Sequence, residues 1–186
     1  NDDNYMMVME FAKQGSLRKL LDSKFNDLDW EFKVAILYYI TDGLNAIHNA
    51  NLVHKDFHSG NIVNKDIINS YITDFGLCKP VSQDSDSEEL FGVLPYVAPE
   101  LLRASVNEDK IVYTKKSDIY SFGIIMSEVF TGYPPYHDIP HDHRLQIKTL
   151  KGQKPEIRCK VPQLLLDLMN KCLDAEPQNR PTAKEL

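Results

Sequence analysis

The run "SDIYSFGIIMSEVFTG" (117–132) constrains this chain more than any other stretch. Its apolar residues fall on nearly every side of a helical wheel, so a helix formed here has no face to give to water. Gly132 stands where a left-handed residue ends such a helix. A helix of this kind must be surrounded, which predicts a mainly α domain with other elements laid around 117–132.

The surrounding elements are legible in part. Asp29 can N-cap a long helix whose apolar positions Val34, Leu37, Ile40, Leu44 and Ile47 form one stripe, ending near 49–51. Ser16 caps a short helix with Leu17, Leu20 and Leu21 on one face. A further helix starts at Pro162 and buries Leu165, Leu168, Met169 and Cys172. "YMMVMEF" (5–11) reads as a strand broken by "KQG", while "NIV" (61–63) and "SYIT" (70–73) read as a small hairpin. The polar run 81–89 reads as one mobile loop. Thr182 and Glu185 have capping-box spacing and announce a helix that stops after one turn. A lone strand at one end and a cut helix at the other suggest a fragment.

With 186 residues, 42% of them hydrophobic and 26% charged, the chain has the makings of one globular core. A net charge of -6 with no long basic block gives no footprint for nucleic acid or an anionic membrane. The longest apolar run, 34–40, is far too short to span a bilayer, and the first residues lack a signal-peptide layout. Three cysteines, Cys78, Cys159 and Cys172, in unrelated contexts give neither a disulfide framework nor a zinc knuckle, so a reducing, cytoplasmic (intracellular) setting is expected.

The chemistry is concentrated between the long helix and the central one. "HKDFHSGN" (54–61) puts Asp56 and Asn61 in one loop, and Asp74 of "TDFG" follows the hairpin. Two carboxylates and an amide oxygen suit a hard cation, magnesium over zinc, and a carboxylate beside them can orient a hydroxyl nucleophile. Phosphoryl transfer asks for little else from a protein beyond positioning and charge neutralisation. The plain alternative for Asp56 and Asn61 is a turn with an Asx bond. His137, His141 and His143 read as solvated loop residues, not as a metal site. Ser82, Ser85 and Ser87 read equally well as phosphosites or as filler in an acidic loop.

In these motifs and their order the chain resembles the C-terminal lobe of a eukaryotic protein kinase. "HKDFHSGN" is similar to the catalytic loop, "DFG" (74–76) to the metal-binding turn, and "APE" (98–100) to the end of the activation segment. The resemblance implies a helical bundle with a small β-hairpin plus a hinge strand: residues 1–12 as the last N-lobe strand and hinge, 13–186 as the C-lobe. It implies ATP and Mg²⁺ as cofactors and a protein substrate. Asp56 is then the base, with Lys55 and His58 beside it, and Asn61 and Asp74 are the magnesium ligands. In "MEFAKQGSL" the backbone at Glu10 and Ala12 would hold adenine, with Met9 as gatekeeper and Val63 under the ring. Asp118 would support the catalytic-loop backbone, and Arg180 would pair with Glu100.

The departures from the family pattern are informative. No Gly-rich loop, no strand Lys and no helix Glu precede Asn1, so activity is expected to need an N-lobe and the 186-residue piece to be inactive by itself. Lys55 replaces the usual Arg, losing the bidentate fork that grips a phosphorylated loop. His58 stands where serine/threonine kinases have Lys, and Val93 where they have a Thr. These changes suit a tyrosine-kinase-like branch of mostly Ser/Thr enzymes. The rival expectation is a catalytically silent kinase-fold binding or scaffold module.

Overall fold

The structure, a computed structural model, describes residues 9–81, 86–87 and 89–186. In chain order its elements are β1 (Gly15–Ser16), α1 (Leu17–Lys24), α2 (Trp30–Asn49), β2 (Leu52–Val53), β3 (Ile62–Asn64), β4 (Ser70–Ile72), β5 (Lys79–Pro80), β6 (Asp86–Ser87), α3 (Pro99–Val106), β7 (Ile111–Val112), α4 (Lys115–Thr131), α5 (His143–Leu150) and α6 (Gln163–Cys172). Helices dominate, as the central run requires.

Helix α4 begins where Thr114 donates its backbone N–H to the Ser117 hydroxyl at 3.1 Å and ends on Gly132 at φ 77°. All of Ser117 to Phe130 is buried. Helices α2 and α6 pack on it, and Trp30 of α2 meets Phe130 with ring centroids 5.7 Å apart. Each apolar side chain sealed in this way is worth about 1.5–3 kcal/mol relative to exposure.

Asp29 accepts from Phe32 N–H and caps α2, which buries Ile36, Leu37, Ile40, Leu44 and Ile47. Val34, expected in that stripe, is 44% exposed. At about 100° per residue it stands roughly 120° around the axis from Ile40, whereas Ile36 is only about 40° away. Ser16 accepts from Lys19 N–H above a buried Leu17, Leu20 and Leu21. In α6 the sealed residues are Met169 and Cys172, with Leu165 and Leu168 half-buried. Glu185 accepts from the Thr182 backbone N–H at 2.7 Å, so that half of the expected capping box is formed.

The sheets are small. β3 is the middle strand of three, antiparallel to β1 (Ser16 opposite Val63) and to β4 (Val63 opposite Tyr71). The hairpin turn closes because Asp66 accepts from the backbone N–H of Ile68 and Asn69 at 3.0 and 2.9 Å, an Asx turn. β2 pairs antiparallel with β5, which the sequence did not announce, and this ties the strand before the catalytic loop to the strand after "DFG".

Two expectations need correcting. Of the strand expected over 5–11, residues 5–8 lie outside the described residues. Met9 to Phe11 join no ladder, and Met9 and Phe11 are 71% and 79% exposed; sheet pairing starts later, at Gly15. Within the loop expected over 81–89, Asp86–Ser87 pair with Ile111–Val112 as β6 and β7. Backbone pairing supplies the order there that side-chain polarity conceals. Ser82 and Ser85 lie outside the described residues.

Candidate active site

The loop 54–61 leaves β2 and is held from beneath by α4. The Asp118 carboxylate, 2% exposed, accepts from the backbone N–H of His54 at 2.9 Å and of Lys55 at 3.2 Å, and lies 2.9 Å from His48 Nε2. Lys55 sits at φ 72°, a left-handed conformation costly for a residue with a Cβ. Asp118 stabilises that turn through bonds any loop sequence could make, as the kinase resemblance implies.

Next in the loop, Asn61 fixes Asp56. Its Nδ2 donates to Asp56 O at 2.9 Å and to Asp56 Oδ2 at 3.0 Å. Because the amide nitrogen is used, the Asn61 Oδ1 is turned away from Asp56 as a bare acceptor. The His58 Nε2 lies 3.5 Å from the other Asp56 oxygen, and His58 Nδ1 accepts from Gly60 N–H at 3.0 Å. That backbone bond decides the tautomer: neutral His58 carries its proton on Nε2, facing Asp56. A Cβ at Gly60 would come within 2.7 Å of the His58 ring, so the ring's seat needs glycine there. Burial pushes the His58 pKa below its ordinary value, against the pull of Asp56. Protonation would also turn Nδ1 into a donor facing the Gly60 N–H.

The hairpin brings Asp74 to the same place. Thr73, at the end of β4, donates to Asn61 O from its N–H at 2.8 Å and from its hydroxyl at 3.0 Å. Asp74 itself is exposed, in the left-handed region at φ 61°, with no hydrogen bond to its carboxylate among the described residues. A carboxylate and an amide oxygen that take no hydrogen bond among the described residues are the kind of donors a hard divalent cation such as magnesium uses. Among the described residues no cluster of three His, Cys, Asp or Glu side chains could hold a metal. In the histidine-rich loop, His137 stacks on Tyr133 and His141 Nε2 lies 3.1 Å from Pro135 O.

The remaining sequence candidates are placed as follows. Val63, half-buried, lies in β3 opposite Ser16, and Gln14 N–H donates to Asn64 O at 3.0 Å, so the stretch after Ala12 runs alongside it. Ala12 O accepts from Gly15 N–H, while no described residue accepts from the Ala12 N–H. Glu10 is exposed and pairs with Lys65 at 2.8 Å. Lys55 is the one that the loop does not bring to Asp56: no ion pair joins them among the described residues, and its Nζ lies 5.1 Å from the Tyr113 ring centroid. Val93 is 43% exposed. Arg180, fully buried, forks onto Glu100 at 2.8 and 2.6 Å, tying the end of the activation segment to the chain's last turn.

One group of residues was missed. Glu128, buried near the other end of α4, accepts from Arg18 Nη1 at 2.7 Å, Ser59 Oγ at 3.0 Å and Tyr96 Oη at 2.6 Å. Ser59 and Tyr96 also lie 3.0 Å from one another. The signal was a carboxylate inside an all-round apolar helix, which cannot stand unpaired. Its partners come from three distant segments, and nothing in the sequence links them. Burial raises the Glu128 pKa, the bonds from Tyr96 and Arg18 opposing it.

A loop that fixes a carboxylate with an asparagine, with a second carboxylate beyond a hairpin and a central helix beneath, has the groups to orient a hydroxyl and to meet a hard cation. The chain belongs to the protein tyrosine and serine/threonine kinase family, which matches residues 1–186. It is 33% identical to receptor-interacting serine/threonine-protein kinase 4 of Mus musculus, over 97% of this chain and 24% of that protein. Against the protein of the same name in Homo sapiens the identity is 32%, over 95% and 22%. MDIS1-interacting receptor like kinase 2 of Arabidopsis thaliana is 33% identical, over 96% and 18%. The chain thus spans a quarter or less of the length of these relatives.

Proposed function

We propose that this chain is the C-lobe of a protein kinase of the tyrosine-kinase-like branch, whose whole protein transfers the γ-phosphoryl of ATP to a serine or threonine hydroxyl of a protein inside the cell. The observation that carries this reading is the pairing of Asn61 Nδ2 with both Asp56 O and Oδ2, which holds the carboxylate and leaves the amide oxygen outward.

In this reading Asp56 orients the substrate hydroxyl and takes its proton. Asn61 and Asp74 would hold magnesium, which would neutralise phosphate charge. The backbone at Glu10 and Ala12 meets adenine over Val63. His58 donates Nε2–H towards Asp56 and keeps that carboxylate aimed. An N-lobe supplies the contacts to the α- and β-phosphates.

The test uses the full-length protein that carries this domain. Asp56→Asn should lower turnover by roughly 10²-fold or more with nucleotide affinity unchanged, because a positioned base acts in the transition state. Asp74→Asn should weaken the dependence on magnesium. Near-normal turnover in Asp56→Asn would leave the binding-module reading in its place.

A further inference from the structure

We propose that Tyr113 is a latch that sets the activation segment against the catalytic loop, with Lys55 braced on its ring, so that this part of the segment is ordered without a phosphate. The proposal rests on the reading of Asp56 as the base.

The Tyr113 hydroxyl satisfies both backbone groups of one residue. It accepts from Phe91 N–H at 2.6 Å and donates to Phe91 O at 2.8 Å. Tyr113 is itself 2% exposed and stands between β7 and the capped start of α4. The next residue, Gly92, lies directly on the catalytic loop at φ 107°: a Cβ there would be 3.5 Å from Lys55 O and 4.0 Å from Asp56 Oδ1. Fixing Phe91 therefore fixes the wall beside Asp56. Burial pushes the Tyr113 phenol up, so its hydroxyl keeps its proton and remains a donor at neutral pH.

The Lys55 side chain explains why a phosphate is not needed. It is 7% exposed, and its ammonium faces the Tyr113 ring at 5.1 Å, cation–π geometry. A bidentate phosphate latch uses a guanidinium fork with room in front of it. Here the pocket lined by Lys55, Asp56, Gly92, Tyr113 and Asp118 has about 10 Å³ of room, about one water molecule, and the Lys55 ammonium is already turned onto the Tyr113 ring. One side of the segment is also tied down by the pairing of β6 with β7, which ends directly before Tyr113.

The full-length protein tests this through Tyr113→Phe, which keeps the ring and the Lys55 contact and removes only the hydroxyl. Amide hydrogen exchange over residues 89–94 should speed up by about tenfold, with the α4 amides unchanged. Turnover should fall by about tenfold with KM for ATP unaltered, a split that general loss of folded protein would not give. Phosphatase treatment, or the combined Ser82→Ala, Ser85→Ala and Ser87→Ala changes, should leave turnover as it was. Lys55→Met keeps both bonds to Phe91 and removes the brace, and should loosen the same segment to a smaller extent. Unchanged exchange over 89–94 in both variants overturns the latch, as does activity that phosphatase abolishes and Tyr113→Phe spares. If the unmodified protein transfers no phosphate, the kinase reading fails while the exchange measurement still decides the latch.

Discussion

Helix α4 supports the site with a buried carboxylate near each end, and the two supports are built differently. Asp118 binds backbone N–H groups of a single loop, at His54 and Lys55, plus one imidazole. Glu128 binds only side chains, and they come from α1, the catalytic loop and the turn before α3. The first arrangement fixes a backbone path; the second joins three segments to one another. Loss of the first should therefore be felt in the geometry of Asp56, and loss of the second chiefly in stability.

The largest effect that separates them is expected from Asp118→Ala. It leaves two backbone N–H groups and His48 without their acceptor beneath a loop already strained at Lys55, costing about 3–5 kcal/mol. Turnover of the full-length protein should fall on the order of 10²-fold as Asp56 loses its seat. Urea unfolding and steady-state kinetics check both. A variant destabilised by that amount but with normal turnover would mean that Asn61 alone positions Asp56.

Glu128→Ala should cost about 2–4 kcal/mol, because Ser59 and Tyr96 lose a buried acceptor. Turnover should fall less than in Asp118→Ala, since Asp118 still holds the His54 and Lys55 backbone N–H groups just before Asp56. Ser59→Ala and Tyr96→Phe should each cost about 1–2 kcal/mol, and their double-mutant cycle should be non-additive because both bonds end on one carboxylate. Strict additivity would mean that Glu128 serves two independent contacts and not one junction.

The same contrast explains what was legible beforehand. The central helix, its glycine cap, the Asp29 and Ser16 caps and the loop that joins Asn61 to Asp56 are local patterns, each set by the residues beside it. Val34 was misassigned because counting in steps of three and four does not follow the drift of a real helix around its axis. The pairing of Leu52–Val53 with Lys79–Pro80, the Glu128 junction and the Tyr113 hydroxyl on Phe91 are long-range. Two-residue strands carry too few residues to show a period, and a buried Glu announces that it has partners without saying which.

The smallest effect is one of sign, and it tests the Glu128 junction by proton count. Ser59 and Tyr96 have two hydroxyl hydrogens for three close contacts: Ser59 to Glu128, Tyr96 to Glu128, and Ser59 to Tyr96. A protonated Glu128 supplies the third and closes the ring, whereas the ionised form keeps Arg18 as its ion pair. Burial raises the folded-state pKa of Glu128. Folding then takes up a proton, so this group's contribution to stability is greatest below the ordinary carboxylate range and declines as pH rises through the raised value. His58 works in the opposite direction. Its folded pKa is lowered, burial outweighing the pull of Asp56, with His54 and Asp74 as the other charges it feels. Its contribution is complete above about pH 6.5 and is lost as pH falls from there through the folded value. Urea midpoints measured from pH 4.5 to 8 in single variants separate the two. Glu128→Gln should remove a slope that falls with rising pH, and His58→Asn, whose amide oxygen can take the Gly60 N–H, should remove one that rises. If Glu128→Gln shifts the midpoint equally at every pH, the carboxyl is not held in its protonated form by this ring, and the Arg18 ion pair alone accounts for its burial.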